Sequence, residues 1–149
     1  MKKISTLLII LSFIISSCAQ SSTKEKEAKD APAKTEQTVQ KEETVEHISN
    51  SDFKAKIEGK AVQLVDVRTP GEYEEGHLEN AVLIDYKNPD FAKNATEKLD
   101  KTKPVYVYCR SGHRSANSAE ILRKEGFTKV YDMKGGIMGW KAADFKVVK

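Results

Sequence analysis

The chain alternates short runs rich in apolar and β-branched residues with stretches of helical spacing, and that alternation narrows the folds open to it. The runs are Val45 to Ile48, Ala61 to Val67, Ala81 to Ile84, Val105 to Tyr108 and Lys129 to Met133. Ala61 to Val67 has the apolar, β-branched character of a strand covered on both faces, and Ala81 to Ile84 repeats it. Between the runs lie a short helix from a cap at Asn50 or Ser51 through Ile57, another from Phe91 to Leu99, and a third from Ser115 to Glu125. The third places Ala116, Ala119, Ile121 and Leu122 on its inner side and has Gly126 as its stop signal. Ile137 to Phe145 closes the chain as a last helix. Alternation of this kind predicts an α/β fold, with a central parallel sheet of about five strands and helices on both faces. No internal repeat is visible, so residues 45–149 make one domain, near the ordinary size for burying its own core.

The first 44 residues read differently. Lys2 and Lys3 precede an apolar stretch from Ile4 to Ile15, too short for a spanning helix, which needs about 20 residues. It ends at Ile15-Ser16-Ser17-Cys18, which resembles a bacterial lipobox. The resemblance implies a signal peptide over residues 1–17, cleavage before Cys18 and a diacylglyceryl group on its thiol. Residues 18–44 then form a polar spacer of low complexity, rich in Lys, Glu, Gln and Thr, with too few apolar residues to bury. A flexible spacer of that length spans roughly 25–30 Å. The expected product is an exported lipoprotein, anchored to a cell-envelope membrane and facing the periplasm or the surface. Its two cysteines are Cys18 and Cys109; with Cys18 lipidated, one thiol remains and no internal disulfide can form. Charged residues are 32% of the chain, and a net charge of +3 is spread along it with no basic block among aromatics, so nucleic acid is not implied. No His, Cys and Asp cluster has metal-ligand spacing, and no cofactor is expected.

The chemistry concentrates at Cys109-Arg110-Ser111-Gly112-His113-Arg114. A cysteine after a buried strand, on a loop that opens a helix, meets converging backbone N–H groups and a positive dipole end. Arg110, His113 and Arg114 add positive charge, so the sulfur should act as a nucleophilic thiolate. Gly112 permits the backbone turn that aims N–H groups inward. A cysteine phosphatase needs five residues between cysteine and arginine to surround phosphate. Here Arg114 follows Cys109 after only four, and the smaller ring suits a sulfur atom carried on the cysteine. Asp66-Val67-Arg68 ends another expected strand and faces the same crevice, where Asp66 and Arg68 read as a bracing ion pair.

At these residues the chain resembles the rhodanese family, the single-domain sulfurtransferases. The resemblance extends through Leu64-Val65-Asp66-Val67-Arg68-Thr69-Pro70, Glu72-Tyr73, Gly76-His77-Leu78 and Gly135-Gly136-Ile137-Met138-Gly139-Trp140. It implies that Cys109 takes sulfane sulfur from a small anion such as thiosulfate, becomes a persulfide, and passes the sulfur to cyanide, a small thiol or a protein thiol. Arg110 is then the contact for the anionic donor, and Arg114 ties the loop to the domain. Ser111 and Ser115 donate to the persulfide, or Ser115 caps the helix; His113 adds charge when protonated. The resemblance further implies a Glu72–Arg68 pair, His77 packed under the loop, a Gly135-Gly136 turn lining the pocket and Trp140 in the core. Glu79-Asn80 stands where the family usually has a Pro-Gly turn. Two other functions compete: a non-catalytic binding module on the same fold, which an intact cysteine loop argues against, and a cysteine phosphatase or arsenate reductase, which the short ring disfavours.

Overall fold

The computed structural model describes residues 44–149. The expected signal peptide, Cys18 and nearly all of the expected spacer lie outside that range; the spacer's last residue, Thr44, already opens the first strand. The elements run β1 (Thr44–Ile48), α1 (Asn50–Ile57), β2 (Gln63–Asp66), α2 (Pro70–Glu74), β3 (Val82–Leu83), α3 (Phe91–Lys98), β4 (Val105–Tyr108), α4 (His113–Lys124), β5 (Lys129–Met133) and α5 (Gly136–Ala142). The five strands form one sheet in the order β1-β5-β4-β2-β3, every pairing parallel.

Alternate residues of each strand face opposite layers, so the sheet has two cores. Val65, Val67, Val105, Val107 and Val130 point to one face, where Phe91 and Ala95 of α3, Ala119 and Leu122 of α4, and Phe127 cover them. Leu64, Tyr106, Tyr108, Tyr131 and Met133 point to the other, under Phe53 of α1 and Ile137 and Trp140 of α5. The Phe53 ring meets Tyr106 edge-on at 5.7 Å, and Tyr106 stacks on Tyr131 at 4.8 Å. Burying an aromatic side chain as completely as Phe53 is buried contributes about 2–3 kcal/mol. The expected α/β fold with helices on both faces is therefore the one observed.

β2 and β3 are shorter than the sequence reading, the ends of α1, α4 and α5 differ from it, and α2 is an addition. The cap of α1 is Ser49, whose side chain accepts from the Asp52 N–H, instead of Asn50 or Ser51. α2 was not expected at all, although Thr69 and Glu72 form a reciprocal capping box behind Pro70. α4 begins at His113 and not Ser115, because Gly112 at φ +100° turns the chain into the helix two residues sooner. α5 stops at Ala142, and Phe145 packs back on Trp140 at 4.9 Å from beyond its end. At Glu79-Asn80 the turn survives without Pro-Gly, since Asn80 takes φ +65°, a conformation asparagine tolerates.

Parallel strands share a carboxyl end. Asp66, Tyr108 and Met133 close β2, β4 and β5 along one edge of the sheet, and the segments that follow them meet there.

Candidate active site

Cys109 is the first residue beyond β4 and is completely buried, while Arg110, Ser111 and His113 beside it are exposed. Its Sγ accepts the Gly112 N–H at 3.2 Å. Ser115 Oγ lies 3.5 Å from Sγ and 3.1 Å from the Gly112 carbonyl, so its one proton serves either acceptor. Gly112 can aim its N–H at sulfur only with φ +100°, and a Cβ there would come within 3.2 Å of the Gly135 nitrogen.

The rest of the loop is held from beneath by α5. The Ile137 N–H donates to the Cys109 carbonyl at 2.8 Å and the Met138 N–H to the Arg110 carbonyl at 3.0 Å. In a trans peptide the carbonyl and the next N–H point opposite ways, so the Arg110 and Ser111 N–H groups turn away from α5. Gly136 makes this contact possible: a Cβ at its position would lie 2.5 Å from the Cys109 oxygen and 2.6 Å from two Arg110 atoms. The expected Gly135-Gly136 turn is thus a platform under the loop.

Arg114 binds the loop sideways. Its two terminal nitrogens donate to the two Glu72 oxygens at 2.7 Å each, a bidentate pair between α4 and α2. The Glu72 carboxyl is drawn from the ordinary 4.5 to about 2, first by the Arg114 hydrogen bond, against the penalty of burial, with further help from Thr69. Because the folded value lies below the unfolded one, the stabilisation is full above pH 4.5 and drains away as pH falls toward 2. At neutral pH it amounts to about 2–3 kcal/mol, allowing for the partial exposure of the pair. Glu72→Gln should therefore lose that much stability at pH 7, and the gap from the parent should narrow toward pH 2; urea titrations across this range check it.

Arg68 and Asp66 form a separate, buried pair. Arg68 Nε lies 2.9 Å from both Asp66 oxygens, Nη2 lies 2.6 Å from Oδ2, and Nη2 also donates to the Gly76 carbonyl at 2.8 Å. This braces the crevice wall, as read from the sequence. The implied Glu72–Arg68 pair is not found: Asp66 and the Gly76 carbonyl take the Nε and Nη2 protons of Arg68, and Glu72 pairs with Arg114. The His77 ring stacks on Tyr73 at 3.7 Å, and its backbone pairs with Val148 at 2.8 Å in both directions. Nearby, burial pushes the Tyr108 phenol well above its ordinary value, so it stays neutral and accepts the Leu78 N–H at 3.0 Å.

The sequence reading missed one residue touching this platform. Asn50, considered only as a helix cap, donates from Nδ2 to the Gly136 carbonyl at 3.2 Å. Nothing local in the sequence marks a partner 86 residues away. Among the described residues, no group of three or more His, Cys, Asp or Glu side chains is placed to hold a metal ion. A cavity of about 700 Å³ opens elsewhere, over Ile57, Leu64, Leu78 and Trp140, and includes no loop residue.

Chemically, the site is one buried sulfur receiving a fixed N–H, inside a ring closed by a neutralised Arg114, with Arg110 exposed at its margin. The family profile described as Rhodanese-like domain matches residues 49–143. An uncharacterized Bacillus subtilis protein, YqhL, is 42% identical over 78 residues, which are 52% of this chain and 60% of that protein. The tRNA uridine(34) hydroxylase of Chlamydia abortus is 35% identical over 102 residues, covering 65% of this chain and 31% of the hydroxylase. The match thus covers less than two thirds of either relative's length. Among solved structures, a rhodanese-like domain protein from Staphylococcus aureus is 33% identical with a TM-score of 0.56, over 64% of this chain and 90% of that one. A rhodanese-like domain from Anabaena sp. is 27% identical with a TM-score of 0.62, over 68% and 77%.

Proposed function

Since the chain belongs to the rhodanese-like domain family, we propose that it is a sulfurtransferase working through a persulfide on Cys109. The observation that carries the reading is the buried Cys109 Sγ, set in a six-residue ring and accepting the Gly112 N–H. With thiosulfate as donor, the Cys109 thiolate attacks the outer sulfur. The bond between the two thiosulfate sulfurs breaks, and sulfite leaves with its electron pair. The product is a Cys109 persulfide whose terminal sulfur carries the negative charge, which the loop N–H groups stabilise as it develops. An acceptor thiolate or cyanide then attacks that terminal sulfur. The sulfur–sulfur bond breaks, giving an acceptor persulfide or thiocyanate, and the Cys109 thiolate is restored. No net oxidant or reductant is required.

The test is the intact mass of the protein after incubation with thiosulfate. A gain of one sulfur atom, removed by cyanide or a thiol, supports the reading. No gain with thiosulfate, glutathione persulfide or cysteine persulfide, while Cys109 is reduced, would leave the binding-module function instead. Arg110 is the donor contact in this scheme: an exposed member of the ring, next to Cys109 and without the carboxylate that neutralises Arg114. Arg110→Ala should raise the KM for thiosulfate roughly tenfold with little change in kcat, as loss of one charge-assisted contact does. Steady-state kinetics reads this directly.

The N-terminal reading belongs to the same proposal: export, and lipidation of Cys18. Each buried acyl CH₂ contributes about 0.8 kcal/mol, so two or three chains hold a protein on a membrane. Cys18→Ser should move the protein from the membrane fraction to the soluble one; unchanged fractionation would remove the anchor from the scheme. Among the described residues, no helix is long and apolar enough to cross a membrane.

A further inference from the structure

Asn50 is the first residue of α1, yet it is not the cap of that helix: Ser49 accepts the Asp52 N–H. Its carboxamide is therefore free for other work, and it reaches across to α5. Nδ2 donates to the Gly136 carbonyl, while Oδ1 lies against Gly139, where a Cβ would approach to 2.6 Å. The same Oδ1 is 3.5 Å from the Cβ position of Gly135. Gly136 in turn presses on the Cys109 and Arg110 backbone, and Ile137 and Met138 hold both of their carbonyls. One side chain thus fixes the turn that fixes the loop.

We infer that Asn50 is a positioning residue for the sulfur loop, acting through Gly136, and that residue 139 is glycine because a side chain there would displace the Asn50 carboxamide. The inference rests on the sulfur-transfer reading for its kinetic consequence, and on geometry alone for its effect on the loop. A Cβ at residue 139 meets the far end of the Asn50 side chain and not backbone, so the fold accommodates it by swinging the carboxamide away. The hydrogen bond to Gly136 is lost in that movement. Gly139→Ala also replaces glycine inside a helix with a better helix former. Its stability should stay level or rise while the loop loosens, an outcome that a purely structural role for Gly139 does not produce.

The experiment compares the full-length protein with Asn50→Ala, Gly139→Ala and the double variant. Three quantities are read: the rate of persulfide formation from thiosulfate, the alkylation rate of Cys109 by iodoacetamide, and Tm. Each single variant should slow persulfide formation roughly tenfold, with KM changed less than about twofold, the scale of a small misplacement of positioned groups. Gly139→Ala should keep Tm at or above the parent value. The double variant should match Asn50→Ala, since without the carboxamide a Cβ at residue 139 displaces nothing. Parent-like rates in Gly139→Ala, or losses that multiply in the double variant, would overturn the inference. If the parent protein forms no persulfide with any donor, the sulfur-transfer reading fails on its own. The alkylation rates then still decide the positioning role: it requires the two single variants to be altered alike and the double no further.

Discussion

Cys109→Ser abolishes sulfur transfer while leaving the fold intact. Serine is slightly smaller than cysteine, can accept the Gly112 N–H that now binds Sγ, and has Ser115 Oγ beside it to take its own proton, so the buried position gains no unpaired polar group. An alcohol at neutral pH is neither ionised nor able to hold a sulfane sulfur, so turnover with thiosulfate and cyanide should fall by about three orders of magnitude or more. Intact mass after thiosulfate should show no added sulfur, and Tm should stay near that of the parent. Turnover that survives in this variant would eliminate the covalent intermediate and with it the proposed mechanism.

The second large effect is at Gly136. Alanine there must adopt φ +55°, which costs about 1–2 kcal/mol for a residue with a Cβ. It must also push a methyl group against the Cys109 oxygen and the Arg110 carbonyl at 2.5–2.6 Å. Those atoms are backbone and cannot rotate aside, so the loop itself has to move, adding about 1–3 kcal/mol. Gly136→Ala should lose about 2–5 kcal/mol in urea denaturation, and its rate of persulfide formation should drop about a hundredfold. Gly139, three residues on in the same motif, meets only the end of a side chain, so its alanine variant should stay stable. Two glycines of one motif thus carry opposite expectations for stability, and a single melting series separates them.

What was legible in the sequence was what is encoded locally. The buried strands declared themselves by β-branched runs, and β4 and β5 fall where the apolar pattern placed them. The pivot from strand to helix at Cys109–Gly112 was readable because glycine and the preceding strand sit within a few residues of the sulfur. α2 was legible in principle, since Thr69-Pro70-Gly71-Glu72 spells a capping box, but only five residues long it lacks the periodicity that reveals a helix. Pairings were the weak point. Glu72 can reach either Arg68 or Arg114 as far as sequence is concerned; Asp66 decides the matter by occupying Arg68 in the interior. His77 likewise takes partners that its sequence neighbourhood does not announce, Tyr73 on its ring and Val148 on its backbone. The service Asn50 gives to Gly136 depends on a contact that only the folded chain creates.

The parallel sheet also decides which way the sulfur faces. β1 enters at Thr44, at the amino end of the strands, and the Cys109 loop lies beyond their carboxyl ends, separated from it by about 15 Å of sheet. The chain therefore enters the domain at the pole opposite the sulfur loop. An acceptor approaching Cys109 thus meets the segments that follow β2, β4 and β5, and the point of chain entry at Thr44 leaves that approach clear.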